Sequence, residues 1–272
     1  MKRNLQIGWI GVAAILTALA VAAAGSLAGQ TRRRARSQPT SEPAPAVKPA
    51  PASAPFRVGE RLDYSVGWSN FTNAATVRLA VAERRNLYGW DTWHLRVVTH
   101  TLSPVRVLFA IDDQFDSYTD ADTLSSHQYE MYLNEQGKRE DSVKRLVAQG
   151  EPNRGDAPSV IVLPGTRDPV GALYALREVD WQRTRGATAL VYDGRNVYDL
   201  RAQLDAPREQ VTVPAGTYSA SKITVRVFQR GEKTPKLSAA IWLAQDSART
   251  PVLVEAELAI GSLRVELTGA VE

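Results

Sequence analysis

From about residue 56 onward, hydrophobic and polar positions alternate with a period of two. Leu62, Tyr64, Val66 and Trp68 alternate with polar or small residues within 60–69. Successive side chains of a β-strand point to opposite faces of a sheet, so this alternation predicts strands with one buried face. Similar patterns predict strands at 76–81, 93–97, 105–118, 124–134, 138–147, 158–163, 187–193, 196–204, 207–213, 217–229, 236–244, 250–259 and 262–270.

The connections between these runs are short and rich in turn residues. Asp193-Gly194 suits a type I′ hairpin turn, in which both central residues have positive φ, and Gln136-Gly137 and Ile260-Gly261-Ser262 have a similar composition. Many strands joined in this way predict a mainly β fold. We expect an antiparallel meander that curls into a half-barrel or an open barrel.

One segment departs from the two-residue period and predicts a short helix. Asp168 suits the N-cap and Pro169 the first helical position. The residues at helical spacing are Val170, Leu173, Tyr174 and Arg177. We expect one helix of about ten residues, packed on the sheet or plugging it.

The stretch 211–225, VTVPAGTYSASKITV, places Pro214 and Gly216 between two β-rich runs. Pro214 cannot donate to a strand ladder and Gly216 tolerates positive φ, so a hairpin turn explains the sequence. A ligand-binding loop remains the alternative interpretation.

The first 28 residues predict a signal peptide or a signal anchor. Two basic residues precede an apolar run at 5–28, which is long enough to cross a bilayer as a helix. Ser26 and Ala28 suit cleavage near Ala28, whereas the length favours a retained anchor in the inner membrane. A buried core helix is the remaining alternative.

Residues 29–55 predict a basic collar followed by a disordered linker. Six prolines occur in 37–55, together with Ala and Ser, a composition that favours extended polyproline II. By the positive-inside rule, the arginines of Arg32–Arg36 favour a cytoplasmic location for the C-terminal side of the apolar run. The order of charged, apolar and small residues in 1–28 favours export, which we prefer. Residues 56–272 then form a single antiparallel β domain.

The charge balance argues against nucleic-acid binding. Seven of the 33 Lys and Arg residues, and one of the 29 acidic residues, lie in 1–55, which leaves 26 basic and 28 acidic residues for 56–272. The domain is therefore slightly acidic and lacks the excess of basic residues that nucleic acids require. The absence of cysteine excludes disulfides, thiolate metal sites and a lipid-modified cysteine.

No catalytic or metal-binding motif is present, so we predict no cofactor and no metal, and an enzyme is the less favoured class. His94 and His100 lie about 20 Å apart if one strand carries both, and solvent exposure explains them best. The acidic run of 112–122 lacks the glycine of a calcium loop and is interpreted as solvated carboxylates at a turn. A hydrolase with carboxylates from separate strands remains open.

Aromatic residues supply the candidate ligand-binding positions. A concave sheet lined by tryptophan and tyrosine suits an apolar or sugar-like ligand. The candidates are Tyr64, Trp68, Trp93, Tyr218 and Trp242. The alternative is that these side chains fill the core.

Four short motifs carry a resemblance to a known family. They are Gly59-Glu60 with Leu62 and Tyr64; Asp168 with Tyr174 and Arg177; 213–218, VPAGTY; and 241–252, with Ile241-Trp242-Leu243 and Arg249-Thr250-Pro251-Val252. In this order they resemble the bacterial family known as domain of unknown function 3108, over about 56–270. The resemblance implies an exported or envelope-associated, mostly antiparallel β protein. It implies no activity and no catalytic residues, and this chain lacks the lipobox cysteine of the lipid-modified members.

Taken together, these observations favour an envelope protein that faces the periplasm. It is held by residues 5–28 or released by cleavage, and it acts as a binding or assembly module for an apolar, glycan or protein ligand. The alternatives are an envelope polysaccharide or lipid hydrolase, and a structural partner recognised through a sheet edge.

Overall fold

The computed structural model describes residues 54–153, 158–258 and 261–271. The expected N-terminal helix at 5–28 and the linker up to residue 53 lie outside the described residues. Within the described part of the chain, no helix combines the length and the hydrophobicity that crossing a membrane requires.

Fourteen strands make up most of the described residues. In chain order they are β1 Arg61–Trp68, β2 Phe71–Leu87, β3 Trp90–Thr101, β4 Asp112–Asp120, β5 Ser126–Glu135, β6 Lys138–Ala148, β7 Ser159–Val162, β8 Thr166–Arg167, β9 Gly186–Tyr192, β10 Val197–Val213, β11 Gly216–Gln229, β12 Leu237–Ala244, β13 Pro251–Leu258 and β14 Gly261–Val271. Two helices accompany them, α1 Val105–Leu108 and α2 Pro169–Glu178.

All fourteen strands form one sheet in the order β7-β6-β5-β4-β3-β2-β1-β14-β13-β12-β11-β10-β9-β8. Neighbouring strands are antiparallel except at the two edges, where β7 runs parallel to β6 and β8 runs parallel to β9. The antiparallel β1–β14 pair joins two meanders, β1–β6 and β9–β14, into a nearly closed barrel. The predicted mainly β fold with a curled antiparallel meander is confirmed.

Two of the predicted hairpin turns can be compared with the structure. Gln136 and Gly137 both have positive φ, 50° and 77°, and Glu135 pairs with Lys138, as predicted for a type I′ turn. The same prediction is wrong for Asp193-Gly194. The turn there has four residues, because Asp193 Oδ1 accepts the amides of both Arg195 and Asn196 at 2.7 Å.

The stretch with Pro214 and Gly216 is a hairpin turn, as the sequence favoured. Val213 pairs with Gly216, which has φ 139°, and the turn residues are Pro214 and Ala215. The Ala215 amide also donates to the Leu267 carbonyl at 2.9 Å, so the tip of this hairpin reaches β14.

Two strand predictions need correction. Residues 105–108 form helix α1, and β4 begins only at Asp112, because the preceding Pro104 has no N–H with which to continue a ladder. The separate strands at 196–204 and 207–213 are one strand, β10, whose pairing with β11 is shifted between Leu204 and Glu209. Pro207 is tolerated there because the ladder is already interrupted.

The predicted short helix is confirmed as α2, and its side chains join the hydrophobic core that the sheet encloses. Eight of its ten residues are buried, all but Ala175 and Glu178, and it packs against β3, β4, β8 and β9. It lies at the end of the barrel where the chain enters through Phe56, which we call the helix end. The opposite end holds the β1–β2 turn, α1 and the β5–β6 turn, and we call it the tip end.

Candidate functional site

The C-terminal half of α2 is fixed by a buried ion pair. Arg177 Nη1 and Nη2 donate to Glu60 Oε1 and Oε2, both at 2.7 Å, and the two residues are only 1% and 3% exposed. The guanidinium also donates to the Ala248 carbonyl, at 3.2 Å from Nε and 2.9 Å from Nη2. One side chain therefore joins the start of β1, α2 and the β12–β13 connection.

Aromatic rings enclose this pair. The ring centroids of Phe56 and Tyr174 lie 5.4 Å and 5.0 Å from the Arg177 guanidinium carbon. Burial by itself lowers the pKa of Arg177, but the hydrogen bonds to Glu60 and the charge interactions with Tyr174, Glu60 and Tyr64 together raise it, so the cation is retained. Bidentate pairing of this kind offsets the cost of burying both charges.

The N-terminus of α2 is held by its cap. Asp168 Oδ1 accepts the Gly171 amide at 2.9 Å, as the N-cap prediction requires. Asp168 Oδ2 accepts the hydroxyls of Ser117 and Ser126, at 2.5 Å and 2.6 Å. Burial raises the pKa of Asp168, although these hydrogen bonds oppose the shift.

The last turn of α2 is bound by the β12–β13 connection. Arg249 Nη1 donates to the carbonyls of Arg177 and Glu178, at 3.0 Å and 2.8 Å. A cation at this position also complements the negative end of the helix dipole. Nearby, the Tyr64 hydroxyl donates to the Pro251 carbonyl at 2.8 Å.

The first, second and fourth motifs of the family resemblance thus meet at the helix end. Glu60 contacts Arg177, Tyr64 contacts Pro251, and Arg249 contacts the end of α2. Their contacts are internal to the fold and hold the helix in the barrel. These residues therefore stabilise the fold. Since their polar groups already have internal partners, a binding site is expected next to them rather than among them.

A cleft of about 270 Å³ opens beside the C-terminus of α2. Three separate parts of the chain form its walls: the segment after α2, strands β10 to β12, and the β12–β13 connection. The lining residues are Asp180, Trp181, Gln182, Arg208, Ser221, Leu243, Ala244, Gln245, Asp246 and Arg249.

Hydrogen bonds fix the polar wall of this cleft. Gln245 Oε1 accepts Arg208 Nε at 3.0 Å and Ser219 Oγ at 3.0 Å, and Gln245 Nε2 donates to the Pro207 carbonyl at 2.6 Å. Ser221 Oγ donates to the same carbonyl at 2.9 Å. The side chain of Gln245 is thus held in one orientation, and Arg208 is held at the exposed rim.

The two carboxylates of the cleft take part in local turns. Asp246 accepts the Thr250 amide at 3.2 Å and the Thr250 hydroxyl at 3.0 Å. Asp180 Oδ1 accepts the Gln182 amide at 3.1 Å. Each acid therefore has a structural partner and also faces the cleft.

Two of the five aromatic candidates belong to the core at the helix end. Tyr64 is 3% and Trp93 7% exposed. The Trp93 ring lies 5.3 Å from Phe56, and its Nε1 donates to the Ala121 carbonyl at 3.3 Å. Packing and hydrogen bonds account for the positions of both side chains.

The other three candidates lie elsewhere. Trp242 is buried and its Nε1 donates to Glu209 Oε2 at 2.7 Å, while the half-buried Tyr218 follows the turn at Pro214. Trp68 is half-buried at the tip end, beside Phe71. The five candidates therefore do not converge on one site, and a ligand-binding role for any of them stays a prediction.

The expectation for His94 and the acidic run needs correction. His94 is only 5% exposed; its Nε2 lies 2.5 Å from Asp116 Oδ1 and its ring stacks on Tyr118 at 4.4 Å. Burial alone raises the pKa of Asp116, but hydrogen bonds from His94, Gln114 and Arg96 lower it overall. The acids at 112–120 lie along β4 rather than at a turn. Residues on the neighbouring strands can therefore pair with these carboxylates across the sheet.

The cleft residues themselves were not predicted from the sequence. Asp180 and Gln245 are 65 positions apart, and Asp180 and Arg208 belong to no motif. Gln245 lies within the range of the fourth motif, but the motif gave no reason to predict a cleft there. Among the described residues, no group of three or more histidine and acidic side chains is arranged to hold a metal ion.

Comparison with solved structures finds distant similarity. A β-barrel-like protein of domain of unknown function DUF1849 from Brucella abortus is 14% identical, with a TM-score of 0.47, over 78% of this chain and 97% of that one. A candidate exported protein with a YmcC-like fold from Bacteroides fragilis is 10% identical, with a TM-score of 0.37, over 80% and 98%. The hypothetical protein CT021 from Chlamydia trachomatis is 6% identical, with a TM-score of 0.37, over 79% and 88%.

No curated protein matches the chain. The sequence profile of one family does match, over residues 63–268, and that range includes three of the four motifs in full and Tyr64 of the first. The match confirms the resemblance drawn from the motifs. The chain belongs to the family described as Protein of unknown function (DUF3108).

Proposed function

We propose that this protein is a non-catalytic binding module of the cell envelope, which holds a protein partner at the cleft of the helix end. The N-terminal apolar run and the proline-rich linker support export to the periplasm, with residues 5–28 as an inner-membrane anchor or with release near Ala28. The observation that carries the binding role is the cleft, which is open and lined by groups of both charges, with a polar wall fixed by hydrogen bonds.

A protein ligand fits this cleft better than an apolar or glycan ligand. Pockets for small molecules measure about 300–1,000 Å³ and are mostly apolar. This cleft measures about 270 Å³, and seven of its ten lining residues are polar or charged. Its one aromatic side chain, Trp181, is 4% exposed and presents no free ring face. The volume suits one or two anchor side chains from a partner surface.

The barrel interior does not favour a lipid carrier. Carriers of apolar ligands hold them inside the barrel, whereas here α2 and core side chains occupy that space. Val170, Leu173 and Tyr174 of α2 are 0%, 7% and 1% exposed. A ligand in the interior would have to displace the helix and break the Glu60–Arg177 pair.

A hydrolase is the second candidate, because Asp180 and Asp246 line the same cleft. Glycoside hydrolysis needs two carboxylates at a separation of about 5–9.5 Å, one of them free to donate a proton. Both acids already accept hydrogen bonds from backbone amides of their own turns, so each carboxylate stabilises a turn. We therefore place binding before catalysis.

Site-specific crosslinking in cells tests the proposal. A photo-crosslinking residue replaces Gln182 in the full chain, with and without Arg208→Glu. We expect a defined adduct, identified by mass spectrometry, that Arg208→Glu abolishes because it reverses one charge of the cleft wall. The matched control is Arg226→Glu, an equally exposed arginine of β11 outside the cleft, which should leave the adduct intact.

Two outcomes contradict the binding proposal. One is an adduct that Arg208→Glu and Arg226→Glu affect equally, since the partner then contacts the protein without using the cleft. The other is turnover of an envelope polysaccharide by the purified full chain that Asp180→Asn or Asp246→Asn abolishes, which favours the hydrolase.

A further inference from the structure

The tip end of the barrel, far from the cleft, carries exposed apolar side chains. Val107 and Leu108 of α1 are 82% and 65% exposed, and Phe71 of β2 is 39% exposed. Trp68 stacks on Phe71 at a centroid distance of 6.2 Å and meets Phe109 edge-on at 5.5 Å. We call these five residues the apolar tip.

Hydrogen bonds and an ion pair hold the backbone around the apolar tip in place. Gln136 lies in the β5–β6 turn. Its side-chain Nε2 donates to the Leu108 carbonyl at 3.0 Å, and its backbone N–H donates to the Ala110 carbonyl at 2.7 Å. Arg106 forms a bidentate pair with Asp112, at 3.0 Å and 2.7 Å. Val107 and Leu108 therefore remain in water although burial of each is favourable, which indicates a contact surface.

Two cationic residues follow Gln136, which contacts the Leu108 carbonyl, by two and three positions. Lys138 and Arg139 follow the β5–β6 turn, are exposed and form no ion pair among the described residues. The carboxylate at the next position, Glu140, lies 4.0 Å from Arg195 Nη2 and so has a cation of its own. The tip end combines exposed apolar groups with two cations that form no ion pair among the described residues, although Glu135 is the cross-strand neighbour of Lys138.

The chain enters the domain at the end of the barrel opposite to the apolar tip. Phe56 packs between Trp93 and Tyr174, with ring centroids 5.3 Å and 4.8 Å away, at the helix end. The 55 residues that precede it therefore join the barrel at the end opposite to Val107 and Leu108. An anchor at 5–28 leaves the apolar tip pointing away from the point of attachment.

We propose that the apolar tip docks on an anionic lipid surface. Val107, Leu108 and Phe71 enter the boundary between headgroups and acyl chains, and Lys138 and Arg139 contact anionic headgroups. A lipid surface suits the tip better than a protein does, because five side chains offer far less than the roughly 800 Å² per partner of a stable protein interface. This docking is independent of the cleft and its partner.

A fluorescent label at the tip tests the proposal. The chain has no cysteine, so Val107→Cys provides one site for a thiol-reactive NBD group, whose emission rises in an apolar environment. Full-length protein, held by its N-terminal segment in nanodiscs of zwitterionic lipid, is mixed with vesicles of phosphatidylglycerol and phosphatidylethanolamine. The matched control is Val271→Cys, 51% exposed and paired with Arg61 at the helix end.

We expect NBD emission at position 107 to rise with these vesicles and to stay unchanged at position 271. Lys138→Ser with Arg139→Ser should weaken vesicle binding by about tenfold or more, because each basic residue contributes to attraction by anionic lipid. Unchanged emission at 107, or an equal rise at both positions, overturns the proposal. A rise at 107 with protein concentration alone, without vesicles, also overturns it and assigns the tip to contact between two copies.

Discussion

The two ends of the barrel differ in how their buried carboxylates are paired and in how far their apolar side chains are exposed. At the helix end, the charged side chains that hold α2 are paired: Glu60 with Arg177, and Asp168 with two serine hydroxyls and a helix amide. At the tip end, Val107 is 82% exposed. There Asp113, 1% exposed, accepts only the Asn134 amide at 2.9 Å and has no partner for Oδ2 among the described residues.

This difference separates contacts that stabilise the fold from side chains that are left open to solvent. A buried polar group destabilises the fold unless it is hydrogen-bonded, and an exposed apolar group forgoes the stability that burial would give. The charged groups that hold α2 at the helix end follow the first rule, although Val271 at the same end is 51% exposed. The tip end departs from both, and such departures are expected at functional surfaces.

Breaking the ion pair of the helix end should have the largest effect. Arg177→Met leaves the Glu60 carboxylate buried without a partner, so we expect the free energy of unfolding to fall by about 3–5 kcal/mol. Arg78→Met removes an exposed pair with Asp63, 2.6 Å long, and should cost less than about 1 kcal/mol. Denaturant titration of tryptophan fluorescence measures both. Equal losses in the two variants would show that the buried pair is not what holds α2.

At the tip end, removing a buried charge should stabilise the protein. Burial raises the pKa of Asp113 to about 6. The folded protein therefore keeps a proton that the unfolded chain has lost between about pH 4 and pH 6, and the free energy of unfolding falls as pH rises through this window.

Asp113→Asn, which cannot ionise, should be about 2 kcal/mol more stable than the unmodified protein near pH 7.5 and nearly equal to it near pH 4. The measurement is denaturation at both pH values. Asp141→Asn, an exposed change on β6, serves as the control and should shift stability little. A gain that is the same at both pH values would rule out ionisation of Asp113 as its cause.

Gly171 tests how closely α2 approaches the sheet. A Cβ at this position would lie 2.8 Å from Thr119 Cγ2 and 3.2 Å from Ser126 Oγ. Gly171→Ala should therefore cost about 1–2 kcal/mol, although alanine is the better helix former. Gly269→Ala on β14, where a Cβ meets nothing within 4 Å, is the control and should change thermal stability little. A stabilising Gly171→Ala would mean that α2 is free to shift away from β4 and β5.

The smallest stability effect should come from the apolar tip. Val107→Ser with Leu108→Ser removes side chains that are already in water, so we expect a change within about 0.5 kcal/mol. Thermal unfolding measures it, with Val105→Ser as the matched control, because Val105 of the same helix is 3% exposed and should cost more. A large loss from the first variant would assign the tip a structural role.

The sequence by itself determined the strands, α2 and the family. Alternation at Leu62, Tyr64 and Val66 reports which face of a strand is buried, and Asp168-Pro169 is a local start signal for a helix. Both depend on neighbouring residues only, so they can be recognised without the fold. The helix at 105–108 was missed because its apolar residues suit a strand equally well, and the connection that contains it determines its form.

Only the tertiary structure decided which distant residues meet. Glu60 and Arg177 are 117 positions apart, and Arg208 meets Gln245 across 37 positions, separations at which no local pattern carries information. The burial of His94 depends on Asp116 and Tyr118 from the next strand, because strand periodicity gives the face but not what covers it. The exposure of Val107 and Leu108 has the same cause: hydrophobicity predicts a tendency to be buried, and packing of the whole barrel determines which residues are left in water.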